Sequence, residues 1–294
     1  MKIAFGMIVF EGDYVLQECL EQVYPFAEQI LISEGPVQYW QDKGKTTSTD
    51  KTNHILDNFP DPDNKIKIIH GQFSEKDDQC NAYAQYLNPD IDYLWNLDSD
   101  EVYKAEDLVK IINFLKEVQP SSVSVRSCSF YGGFDHYLTG MELYKDNFRR
   151  IFRVTPGSVW LTHRPPTIKY PEAANVEMKH VDGDVLFNYT GSQMYHYSYV
   201  FPDQVYKKIA YYAESLNPGG VIDNYFHSVY LPWVTGNKEQ KEVVENTHQG
   251  VHEYRPEKRG ECRTALFEGE HPAAITANKT KLQKEFDIQL KKYL

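Results

Sequence analysis

The sequence predicts an α/β protein with a doubly wound, mostly parallel central sheet flanked by helices and followed by a C-terminal extension. Three observations point there. Over the first 120 residues, apolar runs of strand length alternate with stretches of helical periodicity. The connections between them are short, as in a β-α-β-α succession that builds a parallel sheet. The chain has 294 residues, 41% hydrophobic and 25% charged, which is an ordinary globular composition and excludes disordered, collagenous and coiled-coil architectures.

Each element has a local cause. Ile3 to Phe10 is a continuous apolar run, and Val15, Leu16, Cys19, Leu20 and Val23 then recur on one helical face. Ile30-Leu31-Ile32 is a second strand, stopped at Glu34-Gly35-Pro36. Ser48-Thr49-Asp50 offers an N-cap for a helix through Ile55 and Leu56, which Pro60 closes. Lys65 to Ile69 predicts a third strand, and Asp77 to Leu87 a helix with Ala82, Tyr83 and Tyr86 inward. Tyr93 to Leu97 predicts a fourth strand, and Lys104 to Val118 an amphipathic helix carrying Leu108, Ile111, Ile112 and Leu115. Beyond Pro120, Ser121 to Phe130 and Arg149 to Val154 alternate polar and apolar residues, as strands with one wetter face do. Gly132-Gly133 and Thr162 to Pro171 have the composition of loops, and Gln204 to Leu216 that of a helix. Gly236 to Gly260 is highly charged without a clear period and reads as a solvated appendage; Thr264 to Leu294 ends in a helix.

Lys and Arg number 31 against 42 Asp and Glu, a formal net charge of −11. That sign repels a phosphate backbone and an anionic bilayer, so no nucleic-acid partner is expected. Cys19, Cys80, Cys128 and Cys262 lie far apart without a C-x-x-C pair, which fits buried thiols of a reducing compartment better than a zinc site. The apolar N-terminal run is cut by Glu11 and Asp13, and no later stretch has the length of a membrane span. The expectation is a cytoplasmic protein with no integral membrane segment.

The chemistry concentrates at Asp98-Ser99-Asp100-Glu101, directly after the fourth strand. In open α/β sheets ligands bind beyond the carboxyl ends of strands. Two carboxylates one residue apart on such a turn can aim oxygens at one Mg²⁺ or Mn²⁺ that also meets nucleotide phosphates. Asp61-Pro62-Asp63, Asp90-Ile91-Asp92 and Asp182-Gly183-Asp184 share the spacing but read as ordinary turns.

An ordered set of residues now forms a pattern. A first strand and helix are followed by a strand ending in acidic Glu34, then by Ser48-Thr49-Asp50-Lys51-Thr52, a helix bearing Lys76, Gln79 and Asn81, and the strand with Asp98-Ser99-Asp100. In this order the chain resembles nucleotide-sugar-dependent glycosyltransferases of the GT-A fold, and most closely family 2, over about residues 1–200. The family pattern usually carries a pair of aspartates just before the Ser-Thr-Asp segment, whereas here Glu34 stands alone and Gly35 to Thr47 intervene.

The resemblance implies a GT-A-like domain over 1–235, with a nucleotide-binding half at 1–120 and an acceptor half at 121–235, and a charged extension at 236–294. It implies that Glu34, Asp50, Lys76, Asn81, Asp98 and Ser99 bind the nucleotide sugar. It also implies a metal, Mn²⁺ or Mg²⁺, on Asp98 and Asp100, with His196 of Tyr195-His196-Tyr197 completing its coordination; the other reading of His196 is a core histidine bonded to a carbonyl. Arg149-Arg150-Ile151-Phe152-Arg153 alternates, so Arg149 and Arg153 share a face and Arg150 takes the other. Arg150 and Arg153 are candidate donors to a diphosphate; salt bridges to the acidic surface compete for them.

If the resemblance holds, the enzyme moves a sugar from a nucleotide-sugar donor, UDP- or dTDP-linked by default, to a hydroxyl of a glycan or glycoconjugate acceptor. Family 2 enzymes invert, so a base must take the acceptor proton. Asp135 after Gly132-Gly133, Glu172 after Tyr170-Pro171, and His163 in Trp160-Leu161-Thr162-His163-Arg164 are the candidates, Asp135 foremost. Tyr131, Phe134, Tyr137 and Trp160 are candidates to stack on acceptor rings, although cores use the same residues. The alternative function is a non-catalytic glycan- or nucleotide-binding protein on the same fold. A nucleotidyltransferase is disfavoured by the acidic Phe10-Glu11-Gly12-Asp13 after the first strand, and a dinucleotide oxidoreductase by the absence of G-x-G-x-x-G.

Overall fold

A computed structural model describes residues 1–139, 148–216, 218–256 and 261–294. In chain order its elements are β1 Ile3–Val9, α1 Leu16–Val23, β2 Gln29–Glu34, the single turn α2 Gln38–Gln41, α3 Thr52–Asn58, β3 Ile66–His70, α4 Lys76–Ala84, β4 Tyr93–Asp98, β5 Glu101–Val102 and α5 Ala105–Val118. There follow β6 Ser122–Val125, β7 Ser127–Tyr131, β8 His136–Thr139, β9 Phe148–Arg153, β10 Val159–His163, β11 Pro166–Lys169, β12 His180–Val181, α6 Gly183–Thr190 and β13 Met194–Tyr199. The last are α7 Pro202–Tyr211, α8 Leu231–Thr235, α9 Lys238–Thr247, β14 Arg263–Leu266 and α10 Ala273–Leu290. By its internal contacts the chain divides into two units, Met1–Arg126 with Asn147–Met194, and Ser127–Asp146 with Tyr195–Leu294. Residues 236–294, expected as a charged extension, fall within the second unit.

The first unit holds a seven-stranded sheet of order β12-β6-β9-β4-β1-β2-β3. β1 runs parallel to β2 and β4, β2 runs parallel to β3, and β12 parallel to β6; β9 alone runs antiparallel, between β4 and β6. This is the mostly parallel sheet the sequence predicts. β1 and β2 are buried at every position because both faces are covered, hence their unbroken apolar runs. One face packs Ala4, Ile8, Leu31 and Leu94 against Cys80 and Tyr83 of α4 and against Trp160 and Ile168.

Several local expectations shift. The Thr162 to Pro171 stretch is not a loop throughout: β10 and β11 form an antiparallel hairpin whose Trp160 and Ile168 are drawn into that core. β6 is buried at every position rather than on one face; α6 packs against it. α4 stops at Ala84, so Tyr86 lies outside it and exposed, and Gln79, Cys80 and Tyr83 form the inward face. α5 buries Phe114 with Leu108, Ile111 and Leu115, while Ile112 is half-buried. Among the described residues, no helix is long and apolar enough to cross a membrane. All four cysteines are free and buried.

The second unit orders its strands β14-β8-β7-β13. Its core is aromatic: Tyr131, Tyr199, Tyr225, Phe226, Tyr230 and Trp233 pack with Val205, Val229 and Val251. The hydroxyls that such rings bury need partners. Tyr131 and Tyr225 meet at 2.9 Å, Tyr230 donates to the Val200 carbonyl at 2.6 Å, and Tyr199 donates to Glu253. Within Gly236 to Gly260, α9 corrects the expectation of a solvated loop. None of its residues is fully buried, although Val244 packs against the aromatic core, and Asn237 and Gln240 form a reciprocal capping box at its start.

Candidate functional site

The carboxyl ends of β2, β1 and β4 lie side by side in the sheet, with Val9 opposite Glu34 and Ile8 opposite Asp98. The loop after β1 then folds onto the turn after β4. A Cβ on Gly12 would come 2.5 Å from Ser99 Oγ and 2.9 Å from Val9, so a larger residue would have to push the Ser99 hydroxyl and the Val9 methyl aside. The Asp98-Ser99-Asp100 turn therefore stands where the sequence places a ligand site, at the edge of the parallel strands.

The turn carries a cation of its own. Arg150 on β9 is 4% exposed, and its Nη2 donates to Asp98 Oδ2 at 2.6 Å. Its Nε donates to both oxygens of Glu101 at 3.0 Å, and Nη2 also reaches Glu101 Oε1; Glu101 is fully buried. Burial alone would lower the affinity of the guanidinium for its proton, but the Glu101 and Asp98 carboxylates outweigh it and raise its pKa. Arg150 is thus committed to the turn rather than presented as a diphosphate donor, which corrects the sequence expectation. Arg153 is also displaced. Because β9 is antiparallel, Arg153 pairs with Tyr93 at the amino end of β4, the opposite end from Asp98. Glu172 belongs to that far end too, two residues past Tyr170, whose hydroxyl bonds the Arg153 carbonyl at 2.9 Å; Glu172 is exposed there.

Glu34 is buried and spent on the chain itself. Its Oε1 accepts the Ser48 N–H at 2.9 Å, and its Oε2 lies 3.0 Å from His70 Nδ1. The segment from Lys45 to Asn53 is tied to the loop after β1. Ser48 Oγ accepts the Glu11 N–H at 2.8 Å, Thr52 Oγ1 accepts the Gly12 N–H at 2.9 Å, and Glu11 Oε1 accepts from Thr49 Oγ1 at 2.6 Å and Lys45 Nζ at 2.9 Å. Asp50, not Ser48, serves the helix start, its Oδ1 accepting the Thr52 N–H at 2.9 Å, while its Oδ2 is buried without a hydrogen-bond partner. These anchors were invisible in the sequence because they join residues nearly forty positions apart through an unusual positive φ at Glu11.

α4 contributes differently from expectation. Gln79 Nε2 donates to the Ser33 and Gly35 carbonyls at 2.9 and 3.2 Å, fastening α4 to the end of β2. Asn81 is engaged on β10, accepting the Trp160 N–H at 2.8 Å and donating to the Trp160 carbonyl at 3.0 Å, which gives it a structural role there. Asn81→Ala leaves both half-buried backbone groups without these partners. A loss of about 2–4 kcal/mol is expected in denaturant unfolding, with ligand affinity of the folded protein unchanged. Lys76 opens α4, and its charge is felt by both Cys80 and His163.

His163 is buried at the end of β10, with Nδ1 3.7 Å from Cys80 Sγ. Burial, seconded by the Lys76 charge, pushes its imidazole down to about 3, and burial pushes the Cys80 thiol up to about 12. A group so reluctant to accept a proton is poorly matched to general-base work at neutral pH, which argues against that role for His163. In the second unit, Asp135 is exposed and pairs with Lys279 Nζ at 3.1 Å, and His196 lies buried on β13. Tyr131, Phe134 and Trp160 are core residues rather than exposed stacking faces.

The donors at the turn suit a divalent cation only in part. Asp98 and Asp100 supply two carboxylates, and a Mg²⁺- or Mn²⁺-type ion commonly takes one or two, filling its remaining positions with water and phosphate. Among the described residues, no group of three or more His, Cys, Asp or Glu is arranged to hold a metal ion.

Residues 46–168 match the family model of glycosyl transferase family 2. That stretch, less than half of the chain, includes α3 through β10 and the acidic turn. The fold is similar to the crystal structure of S. aureus TarS residues 1–349, at 12% identity and a TM-score of 0.40, over 85% of this chain and 79% of that one. The same TarS fragment in complex with UDP-GlcNAc gives 13% and 0.36, over 85% and 80%. The 4-diphosphocytidyl-2C-methyl-D-erythritol synthase of Anaerococcus prevotii DSM 20548 gives 13% and 0.31, over 64% and 72%. No curated protein matches the sequence.

Proposed function

We propose that the protein is a metal-dependent, inverting glycosyltransferase that moves a sugar from a nucleotide-sugar donor to a hydroxyl of a glycan or glycoconjugate. The observation that carries this reading is the Asp98-Ser99-Asp100 turn at the carboxyl edge of the parallel strands, packed on the Gly12 loop and lying within the family-matched stretch. Asp98 and Asp100 would hold the ion, which supplies charge neutralisation for the departing diphosphate. Lys76 adds a positive charge in the same neighbourhood. The acceptor oxygen forms its bond to the anomeric carbon as the bond to the diphosphate breaks, the electron pair leaving with the phosphate and the hydroxyl proton passing to a base. For the base we propose Asp135, the carboxylate after Gly132-Gly133 that the sequence pattern favours.

The test is calorimetric titration of UDP, GDP and dTDP with and without Mn²⁺ into the wild type, Asp98→Asn and Asp100→Asn. One nucleotide is expected to bind in a Mn²⁺-dependent manner, at least tenfold more weakly to either variant. Binding indifferent to both substitutions, or no binding at all with metal present, overturns the reading.

A further inference from the structure

We infer that Arg150 and Glu101 are positioning residues for Asp98: a buried ion pair that holds this carboxylate in one orientation before any cation or nucleotide arrives. The inference rests on the donor-site reading above and adds to it the part of the chain that sets the turn. An aspartate at the end of a strand, 33% exposed in its side chain, is ordinarily free to rotate. Here Oδ2 is held by a guanidinium that is itself buried and bonded. Arg150 is 4% exposed, its Nε is shared between both oxygens of a carboxylate with no exposure at all, and its plane lies 5.2 Å from the Phe148 ring. The rigid fork of arginine lets one side chain bind two carboxylates at fixed angles, which a lysine cannot do. Glu101 closes the loop, because its Oε2 also accepts the Asp98 backbone N–H at 3.3 Å, so main chain and side chain of Asp98 are held from the same pair. Groups that orient a metal-binding side chain in this way commonly change metal affinity by 10–100-fold when removed.

Two other roles would leave the same picture. Arg150 could serve only to neutralise a crowded acidic turn, or only to support the fold. Charge separates them. Asp98, Asp100, Glu101 and Arg150 together carry a formal −2. Arg150→Gln makes the turn more negative, so a purely electrostatic role predicts tighter Mn²⁺ binding, whereas loss of positioning predicts weaker binding. The double variant Glu101→Gln/Arg150→Gln restores the formal −2 without the clamp, and by removing both buried charges it spares the fold the unpaired carboxylate that the single variant leaves.

The experiment is Mn²⁺ titration followed by electron paramagnetic resonance, alone and with UDP, on the wild type, Asp98→Asn, Arg150→Lys, Arg150→Gln and the double variant, each checked for folding by circular dichroism. The positioning role expects Mn²⁺ affinity about tenfold or more below wild type in both Arg150→Gln and the double variant, with Arg150→Lys intermediate. Wild-type affinity in the folded double variant, or tighter binding in Arg150→Gln, overturns it while leaving the donor site standing. A wild type that takes up no Mn²⁺ under either condition, like Asp98→Asn, overturns the donor-site reading and the positioning role together.

Discussion

Replacing Gly35 by alanine is expected to destabilise the first unit by roughly 4 kcal/mol and to lower the melting temperature by about 10 °C. Gly35 follows β2 with φ at +146°, a conformation that a residue with a Cβ adopts only under strain. Strain of this kind costs about 1–3 kcal/mol by itself. Steric contact adds more: an added Cβ would stand 1.8 Å from the Gly71 carbonyl oxygen and 2.9 Å from its carbon. Those are backbone atoms, so no side chain can swing aside; the ends of β2 and β3 must part, against the bond from the Gly71 N–H to the Glu34 carbonyl at 3.0 Å. Gly44 is the control. It too has a positive φ, of +78°, but a Cβ there meets no atom within 4 Å, so Gly44→Ala should cost only about 1 kcal/mol. Thermal unfolding of the two variants compares them; equal shifts would refute the close approach at Gly35.

The stability of the wild type is expected to fall steeply with acid because of His163, by roughly 3 kcal/mol between pH 6.5 and 4 from this residue alone. Burial holds the folded imidazole down to about 3, against an ordinary value of 6.5. The stabilising contribution is therefore complete above about pH 6.5. Below it the unfolded chain takes up a proton that the folded protein refuses, so stability drains as pH falls toward the folded value. His163→Gln removes the titrating group and flattens this limb, even if it lowers stability uniformly at neutral pH. Urea unfolding at a series of pH values measures both curves. A constant offset between them from pH 7 to 4 would show that His163 does not titrate in this way.

What was legible in the sequence follows from how local each cause is. β1, β2 and β4 declared themselves as apolar runs because parallel strands covered on both faces need no polar side, whereas the edge strand β3 keeps Lys67 and His70 exposed. The acidic turn was legible for a related reason, since it interrupts such a run with two carboxylates. Arg150 shows the limit. Alternation in β9 predicts Arg150 on the face opposite Arg149 and Arg153, but it does not foresee the register shift beside β6 that falls at Arg150, nor that β9 runs antiparallel beside β4. That direction sends Arg150 toward Asp98 and Arg153 to the far end. His163 and Asn81 were visible as polar residues of the right type; the burial of one and the bonds of the other to the Trp160 backbone are nonlocal and were not legible. The long spacer from Gly35 to Thr47 made Glu34 look isolated, yet its carboxylate reaches across to the Ser48 N–H.

The place of β9 between β4 and β6 also carries a consequence for biogenesis. A ribosome releases β1 to β6 with the middle seat of the sheet still vacant, and Glu101 emerges long before the arginine that will neutralise it. Until β9 threads into that seat, β4 and β6 expose unpaired edges and Glu101 must stay in water. A nascent chain halted near residue 126 should therefore be a client of holding chaperones rather than a folded intermediate, and the arrival of β9 with Arg150 is the event that joins β4 to β6 and sets the acidic turn in the same stroke.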